Sequence, residues 1–485
     1  MKRLPIWLLS LSLAMPLPVL AQDADAARNA DAARDAEIAR LNRTVELLTR
    51  RLEVLEAERA TWAAPASVAP AGTAPPRTDG QVVEAQDRAP RPTMADLPEP
   101  SPLPAHDTFD EDPETAARVD NELPPGEEGF DGFFPVRGTS TWLRLSGYAK
   151  LDAMYDSDDA GESDQFIPSA IPVGGQSGLG SFNMHARQTR FTIEARRHTD
   201  YGPLRFMLQN DFYGSGGSYG YNLRHAWGQL GNTYVGYGFS AFMDLDAGPD
   251  TLDFAGPGVV PFGRVTGIRQ YIPFKNGNQL VVAAEHAGPE ITSTLTDAAP
   301  RTTAPNVVLA YRHEGSSGHM QASALVRQLA YTGGAGRDET LAGGVAISGA
   351  WGPEGSGYLT WGAQGGSGMA AYIGDLLGLG LDGVVTGDGA LEALDEWGGW
   401  LGYGHPWNAH WRSTFTWGRL YLERNAWLAP EAFRRSDYVA ANMMYSPAPS
   451  WSWGLELLYG RLEQQGGAQG DVVRLQTALK YDFIK

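Results

Sequence analysis

The chain has 485 residues, 42% of them hydrophobic and only 20% charged, with 59 glycines and a formal net charge of −19. Beyond the N-terminus no apolar run is long enough for a membrane-spanning helix, which excludes a helical membrane protein. Because cysteine is absent, disulfides, thiolate catalysis and thiolate metal sites are excluded as well. The chain also lacks a basic stripe, which argues against nucleic-acid binding.

The N-terminus has the composition of a secretory signal peptide, which we assign to residues 1–21. Lys2 and Arg3 precede a short apolar stretch at residues 6–20, and Ala21 is a small residue of the kind that signal peptidase requires. A retained membrane anchor is the alternative. The mature chain is therefore predicted to leave the cytoplasm.

Residues 22–62 are predicted to form a helix with an apolar seam. Apolar residues recur at spacings of three and four, which is the heptad pattern of a coiled coil. The seam consists of Ile38, Leu41, Val45, Leu48, Leu52 and Leu55. We expect a self-associating periplasmic coiled coil, and a lone amphipathic helix lying on a membrane is the alternative. Ile and Val in the seam favour two strands, but this bias leaves the strand number open.

Residues 63–138 are predicted to be a disordered, Pro-rich, acidic linker. They contain fourteen of the 32 prolines and few large apolar residues, so they cannot bury a core. Residues 79–131 hold fifteen Asp and Glu against three Arg, a balance of 3 − 15 = −12. Most of the acidity of the N-terminal region therefore lies in a tether.

Residues 139–485 consist of short alternating segments separated by Gly, Asp, Asn, Ser and Pro, as is typical of an all-β transmembrane barrel. In the last segment, Leu475 and Tyr481 share an apolar face, whereas Arg474 lies on the opposite, polar face. At about 20 to 22 residues per strand and connection, this length predicts about 16 antiparallel strands. A barrel of that size encloses a water-filled lumen.

Arginine recurs on the inner face of the predicted strands. The predicted pore-lining residues are Arg144, Lys150, Arg190, Arg196, Arg205 and Arg474, with Arg264 and Arg269 following a presumed constriction loop. As a set, these residues predict a positive field that attracts anions. For any single arginine, pairing with a lumen carboxylate that merely satisfies the wall is the alternative.

The sequence shows no catalytic constellation. Its histidines lack a paired ligand spacing such as HExxH, and no serine motif lies on a strand-to-helix elbow. We therefore expect no catalytic residue, no cofactor and no metal site. The acidic cluster at residues 156–164 is a candidate for weak Ca²⁺ binding, with a merely solvated loop as the alternative.

A series of motifs along the chain follows a recognisable order. The motifs are residues 143–150 (LRLSGYAK), 186–191 (ARQTRF), 223–229 (LRHAWGQ), 239–246 (FSAFMDLD), 250–257 (DTLDFAGP), 397–401 (WGGWL), 411–414 (WRST), 441–447 (ANMMYSP) and 455–461 (LELLYGR). In this order they resemble the DcaP family of trimeric outer-membrane porins. Tyr237 and Phe239 stand where that family has Gln and Trp, and Ile484 and Lys485 follow the Phe that normally ends the chain.

The resemblance implies a 16-stranded barrel, three barrels per assembly, and passage of small anionic compounds such as dicarboxylates. It also implies that a loop after an early strand folds into the lumen and narrows it. Residues 241–261 stand at that place, and an ordinary extracellular loop is the alternative. The acidic residues of this segment are Asp244, Asp246, Asp250 and Asp253.

The sequence thus predicts a bacterial outer-membrane porin for passive diffusion of small anionic solutes through a water-filled, arginine-lined channel, with its N-terminal segment in the periplasm. The expected partners are two further copies of the chain, outer-membrane lipid and lipopolysaccharide, anionic solutes and, as a further candidate, peptidoglycan. A structural protein that ties the envelope to peptidoglycan through the coil is one alternative. An outer-membrane barrel enzyme is a weaker one, because a small enzyme barrel is closed and this chain is too long for that.

Overall fold

The computed structural model describes residues 132–174, 178–214, 219–274, 277–293, 298–333, 336–353 and 356–484. The predicted signal peptide, the coiled coil with its seam, and the linker up to residue 131 lie outside the described residues. The last residues of the predicted linker are ordered, since Phe134–Pro135 pairs with Leu143 and Trp142.

Sixteen long antiparallel strands, numbered in chain order, form the wall of the structure. They are β1 (Thr141–Asp156), β2 (Arg190–Thr199), β3 (Gly202–Gly214), β4 (Gly220–Leu230), β5 (Thr233–Phe239), β6 (Arg264–Pro273), β7 (Gln279–His286), β8 (Asn306–Gly315), β9 (Gly318–Gly333), β10 (Gly336–Trp351), β11 (Tyr358–Ser367), β12 (Asp395–Pro406), β13 (Trp411–Leu422), β14 (Phe433–Ala448), β15 (Trp451–Gln464) and β16 (Gln469–Ile484).

The sheet closes on itself. Each strand pairs with its neighbours in sequence, and β1 pairs with β16 through contacts such as Leu151 with Leu479. A short strand, Ser181–His185, continues the line of β2 along the second half of β1. Closure satisfies the backbone hydrogen bonds that lipid could not satisfy. The prediction of a barrel of about 16 antiparallel strands is therefore confirmed.

Side chains alternate between the two faces of the wall as the sequence predicts. On β15, the Leu457 side chain is 54% exposed on the outer face, whereas Glu456 is 0% exposed on the inner face. Aromatic pairs occupy the outer face near the strand ends, such as Trp451 with Tyr481, whose ring centroids lie 4.8 Å apart. An apolar outer band with aromatic ends is the surface that a membrane-embedded barrel presents to lipid.

The two ends of the barrel differ. Short turns, such as residues 200–201 and 449–450, lie at the end that also holds the start of β1 and the end of β16. Long loops lie at the other end, and three of them, residues 157–180, 240–263 and 368–394, contribute side chains to a core inside the barrel. We refer to this end as the short-turn end, and outer-membrane barrels in general place their short turns in the periplasm.

The loops carry short elements of their own. These are the strands Ile291–Ser293, Ala299–Arg301, Gly383–Val385 and Leu391–Ala393 and the 3-10 turns Pro168–Ala170, Leu245–Ala247, Ala370–Tyr372 and Gly374–Leu376. Among the described residues, no helix is both long and apolar enough to cross a membrane.

A charge placed at mid-height on the outer face should hinder insertion. We expect Leu457→Lys to destabilise the barrel by about 2–4 kcal/mol, because the new ammonium group would face hydrocarbon. Glu339→Lys, on the outer face near the long-loop end of β10, is the control and should cost about 1 kcal/mol or less. The fraction of each variant that stays folded on heating, seen as the fast-migrating band on gels, measures its stability. An equal loss of folded protein in the two variants would contradict the assignment of Leu457 to the lipid-facing surface.

Candidate channel constriction

Residues 240–263, here called the constriction loop, run from β5 across the lumen to the opposite wall. Its first turn is fixed by Glu285 of β7, which accepts hydrogen bonds from Ser240 Oγ at 2.6 Å and the Ala241 amide at 2.7 Å. Farther along, Trp400 Nε1 of β12 donates to the Ala247 carbonyl at 2.8 Å. The structure thus places the segment that the resemblance singled out inside the barrel.

The loop reaches β15 because that wall offers room. Leu252 packs onto Gly454, where an added Cβ would lie 2.7 Å from the leucine methyl groups. A larger residue at Gly454 would therefore push the loop away from the wall.

The first two acidic residues of the loop point at the wall. Arg312 of β8 binds Asp244 at 3.1 Å and Asp246 at 2.6 Å, and His319 and Ser348 also contact Asp244, at 3.0 and 2.7 Å. Burial alone would raise the pKa of Asp244, but the His319 hydrogen bond and the charges of His319 and Arg312 hold that pKa at about 2. These groups have the spacing of a metal site, yet the guanidinium of Arg312 already binds both carboxylates.

The other two acidic residues are also engaged. Asp250 lies 2.8 Å from Arg412 of β13, and Asp253 accepts hydrogen bonds from the Phe166 and Gly256 amides, each at 3.0 Å. Burial raises the pKa of the Asp253 carboxyl. All four predicted loop carboxylates therefore attach the loop to its surroundings.

A cluster of arginines lies on β2, β4 and β6. Its member Arg264 directly follows the constriction loop. Arg224 Nη1 lies 3.0 Å and Arg190 Nη2 3.9 Å from Asp211 of β3. Arg264 stands over the rings of Phe239 and Phe262, 5.8 and 5.5 Å from their centroids. Phe239, one of the departures from the family pattern, thus forms part of this arginine cluster.

The constriction loop approaches the arginine cluster with an aromatic ring. The ring centroid of Phe254 lies 5.2 Å from the guanidinium carbon of Arg224 and 6.0 Å from that of Arg190, and the ring stacks on Tyr213 at 4.7 Å. The loop therefore meets these two guanidinium groups with an apolar ring.

A second group of arginines lies near the short-turn end. Arg144, Arg196 and Arg205 contact the carboxylate of Glu194 at 2.6, 2.7 and 3.3 Å. We call these four side chains the basic mouth. Farther around the wall, Arg269 lies 3.6 Å from Glu285.

Lys150 and Arg474 contact inner loops, and their side chains are buried, as are those of Arg190, Arg196, Arg205 and Arg269. Lys150 Nζ donates to Gln188 Oε1 at 2.5 Å and to the Leu252 carbonyl at 2.8 Å, and both side chains are buried. Arg474 binds Asp156 at 2.6 and 2.9 Å and also donates to the Glu162 carbonyl at 3.1 Å. Both therefore hold inner loops.

The inner wall from β1 to β7, the basic wall, has an excess of positive charge. Its charged side chains are Arg144, Lys150, Arg190, Arg196, Arg205, Arg224, Arg264 and Arg269 against Asp152, Asp156, Glu194, Asp211 and Glu285. Eight cationic groups and five carboxylates leave 8 − 5 = +3. Such a surface attracts anions.

Arg224 is the member of the cluster that strand alternation misses. The register shifts where β3 pairs with β4, so that Gln209 faces His225 and Asn210 faces Leu223. Arg224 is the extra residue of this bulge, and it turns inward together with its neighbour His225. Arg312 and Arg412 lie on the inner faces of β8 and β13, and the sequence analysis did not identify them; only the loop carboxylates could have indicated their role.

Residues 368–394, the second inner loop, brace the constriction loop. Asp382 binds Arg327 of β9 at 2.8 Å, which fixes the second inner loop to the wall. The Asp375 amide donates to the Gly258 carbonyl at 2.9 Å, and the Phe262 amide donates to the Tyr372 carbonyl at 2.8 Å. Burial raises the pKa of Asp375 to about 6, although the hydrogen bond that Ser436 donates to this carboxylate lowers it.

The raised pKa of Asp375 predicts a pH-dependent stability. The folded state favours the protonated carboxyl, so this contribution is present below a pH of about 4 and is lost as pH rises through about 6. Asp375→Asn should therefore stabilise the barrel by up to about 3 kcal/mol at pH 8 and have little effect at pH 4. Thermal unfolding of both proteins at the two pH values measures this, and a stabilisation that is equal at both would contradict it.

Comparisons with known proteins agree with this architecture. Residues 130–463 match the family described as the porin subfamily, and no curated protein sequence matches the chain. The outer membrane channel DcaP of Acinetobacter baumannii superposes with a TM-score of 0.64 at 20% identity, over 72% of this chain and 99% of that one. The anion-selective porin from Comamonas acidovorans superposes with a TM-score of 0.50 at 12% identity, over 71% of this chain and 100% of that one. The chain therefore belongs to the porin subfamily, and its fold is similar to that of the outer membrane channel DcaP.

Proposed function

We propose that this porin passes small anionic solutes, dicarboxylates among them, by diffusion past the basic wall. The observation that carries the proposal is the excess of eight cationic groups over five carboxylates on that wall. Charges that line a lumen act through a low-dielectric wall and focus the field, whereas acidic groups in salt water are screened beyond about 8 Å. The lumen can therefore prefer anions although the whole chain is acidic.

The way in which the constriction loop is attached also supports a preference for anions. Its carboxylates are bound to Arg312, Arg412 and backbone amides, while it meets Arg190 and Arg224 with the ring of Phe254. The loop thus leaves the positive field of the cluster in place. The fold neighbour from Comamonas acidovorans is also described as anion-selective.

Two separate arginine groups suit solutes with two carboxylates. The basic mouth and the cluster of Arg190, Arg224 and Arg264 lie on the same wall but hold different carboxylates, Glu194 and Asp211. Planar guanidinium groups bind carboxylates in a forked geometry, and successive weak sites allow an ion to bind and leave. We propose that the two groups act in succession.

The reversal potential of the purified protein in a planar bilayer under a KCl gradient tests the proposal. We expect the sign of an anion-preferring pore. Arg190→Ala with Arg264→Ala should lower the anion preference at least about twofold, because Asp211 keeps Arg224 while two positive charges leave the lumen.

The matched control removes the same charge from the other face. Arg419 and Arg461 lie on either side of Asp437 on the outer face of β13–β15, and their replacement by Ala should leave selectivity unchanged. A cation-preferring wild type, or equal effects of the two double variants, would overturn the proposed function.

We further propose a trimer whose periplasmic segment assembles through the seam of residues 22–62. Burial of a seam leucine contributes about 1.5–3 kcal/mol, so Leu48→Asp should separate the coil while the barrel, closed by its own hydrogen bonds, keeps its conductance. Native mass measurement and single-channel recording test the two halves of this expectation. A monomeric wild type would refute the trimer, and loss of conductance in Leu48→Asp would refute the independence of coil and barrel.

A further inference from the structure

A short strand just before β1 extends the wall at the short-turn end. This strand, Phe134–Pro135, pairs with β1 on the short-turn side of Gly147, where the pairing of β16 with β1 ends. The Val136 amide donates to the Thr141 carbonyl at 2.9 Å and closes the turn between the short strand and β1. The wall itself therefore fixes the position of Phe133, the residue that precedes the strand.

Phe133 and its neighbour Phe134 lie on opposite faces of the wall. The Phe134 side chain is 48% exposed, whereas Phe133 is only 9% exposed. The ring centroid of Phe133 lies 4.9 Å from the guanidinium carbon of Arg144 and 4.7 Å from that of Arg196, on the inner face. The ring therefore covers two of the three arginines of the basic mouth.

The basic mouth is largely buried although it belongs to the inner wall of a channel. The Arg196 and Glu194 side chains are 5% and 1% exposed, and Arg144 is 24% exposed. Arg144 donates to Glu194 through Nη2 at 2.6 Å, while its Nε is buried without a hydrogen-bond partner. Because a carboxylate binds a guanidinium group through two parallel N–H donors, an arginine held in this way presents a poor site to a passing solute.

We propose that Phe133 is a positioning residue of the channel, whose ring holds Arg144 and Arg196 against the wall and so keeps the short-turn opening from retaining anionic solutes. This inference rests on the proposed passage of anions. A diffusing solute must leave each site as readily as it enters, so arginines at an opening need to bind it weakly. An aromatic ring attracts the guanidinium groups packed against it and also fills the space into which they would turn.

The experiment makes the same substitution at the two neighbouring positions. Phe133→Ala removes the ring on the inner face, and the matched control Phe134→Ala removes the ring on the outer face. Phe133→Leu keeps an apolar side chain that covers less of the guanidinium groups. The fraction of each variant that stays folded on heating checks its folding.

The readout is the concentration of succinate, added at the short-turn side at low salt, that half-blocks the current. We expect Phe133→Ala to lower this concentration about two- to five-fold, because Arg144 can then turn into the lumen and offer two donors to a carboxylate. Phe133→Leu should cause a smaller shift in the same direction, and Phe134→Ala should match the wild type.

A second substitution shows whether Phe133 acts through an arginine. In the Arg144→Gln background, we expect Phe133→Ala to shift the half-blocking concentration much less than it does in the wild type. If the ring merely narrowed the opening, its removal would have the same effect in both backgrounds.

The possible outcomes separate this inference from the proposed function. An unchanged half-blocking concentration in Phe133→Ala, an equal shift in Phe134→Ala, or a full shift in the Arg144→Gln background overturns the role of Phe133 even if the pore prefers anions. If Phe133→Ala does not fold, an unchanged value in Phe133→Leu overturns it. A wild-type pore that prefers cations overturns the anion selectivity itself.

Discussion

Pairing between guanidinium groups and carboxylates inside the barrel determines both where the inner loops lie and where positive charge is left over. A wide barrel encloses space that its wall side chains cannot fill, and polar groups placed there need partners. On β8 and β13 the arginines meet carboxylates of the constriction loop, as Arg312 meets Asp244 and Arg412 meets Asp250. On the basic wall the cationic side chains outnumber the carboxylates. Pairing there therefore leaves an excess of positive charge.

The apolar contacts follow from these attachments. With the constriction loop and the second inner loop fixed to the wall, residues such as Phe242, Tyr372 and Ile373 pack into a core that lies within the lumen. A barrel of this kind therefore has two apolar surfaces, one facing lipid and one facing its own loops. Inner strand residues such as Val308 and Leu325 are buried for the second reason.

Strand alternation, length and the order of motifs were enough to predict the sixteen-stranded wall and the porin family. Alternation works because a lipid-facing band leaves each strand only one register. It fails at Arg224, because a bulge changes the parity of the face within one strand. It also does not show that Lys150 and Arg474 hold inner loops, because these contacts involve distant residues such as Leu252 and Glu162.

The several separate attachments of the constriction loop have a consequence for how such channels can diverge. The loop is held by Glu285, Arg312, Trp400 and Arg412, which stand on four different strands. Losing one attachment leaves the others, and the contact of the loop with Arg190 and Arg224 is made by the ring of Phe254. Substitutions in the arginine cluster can therefore accumulate under selection for a new solute without releasing the loop, so that preference and architecture are free to evolve at different rates.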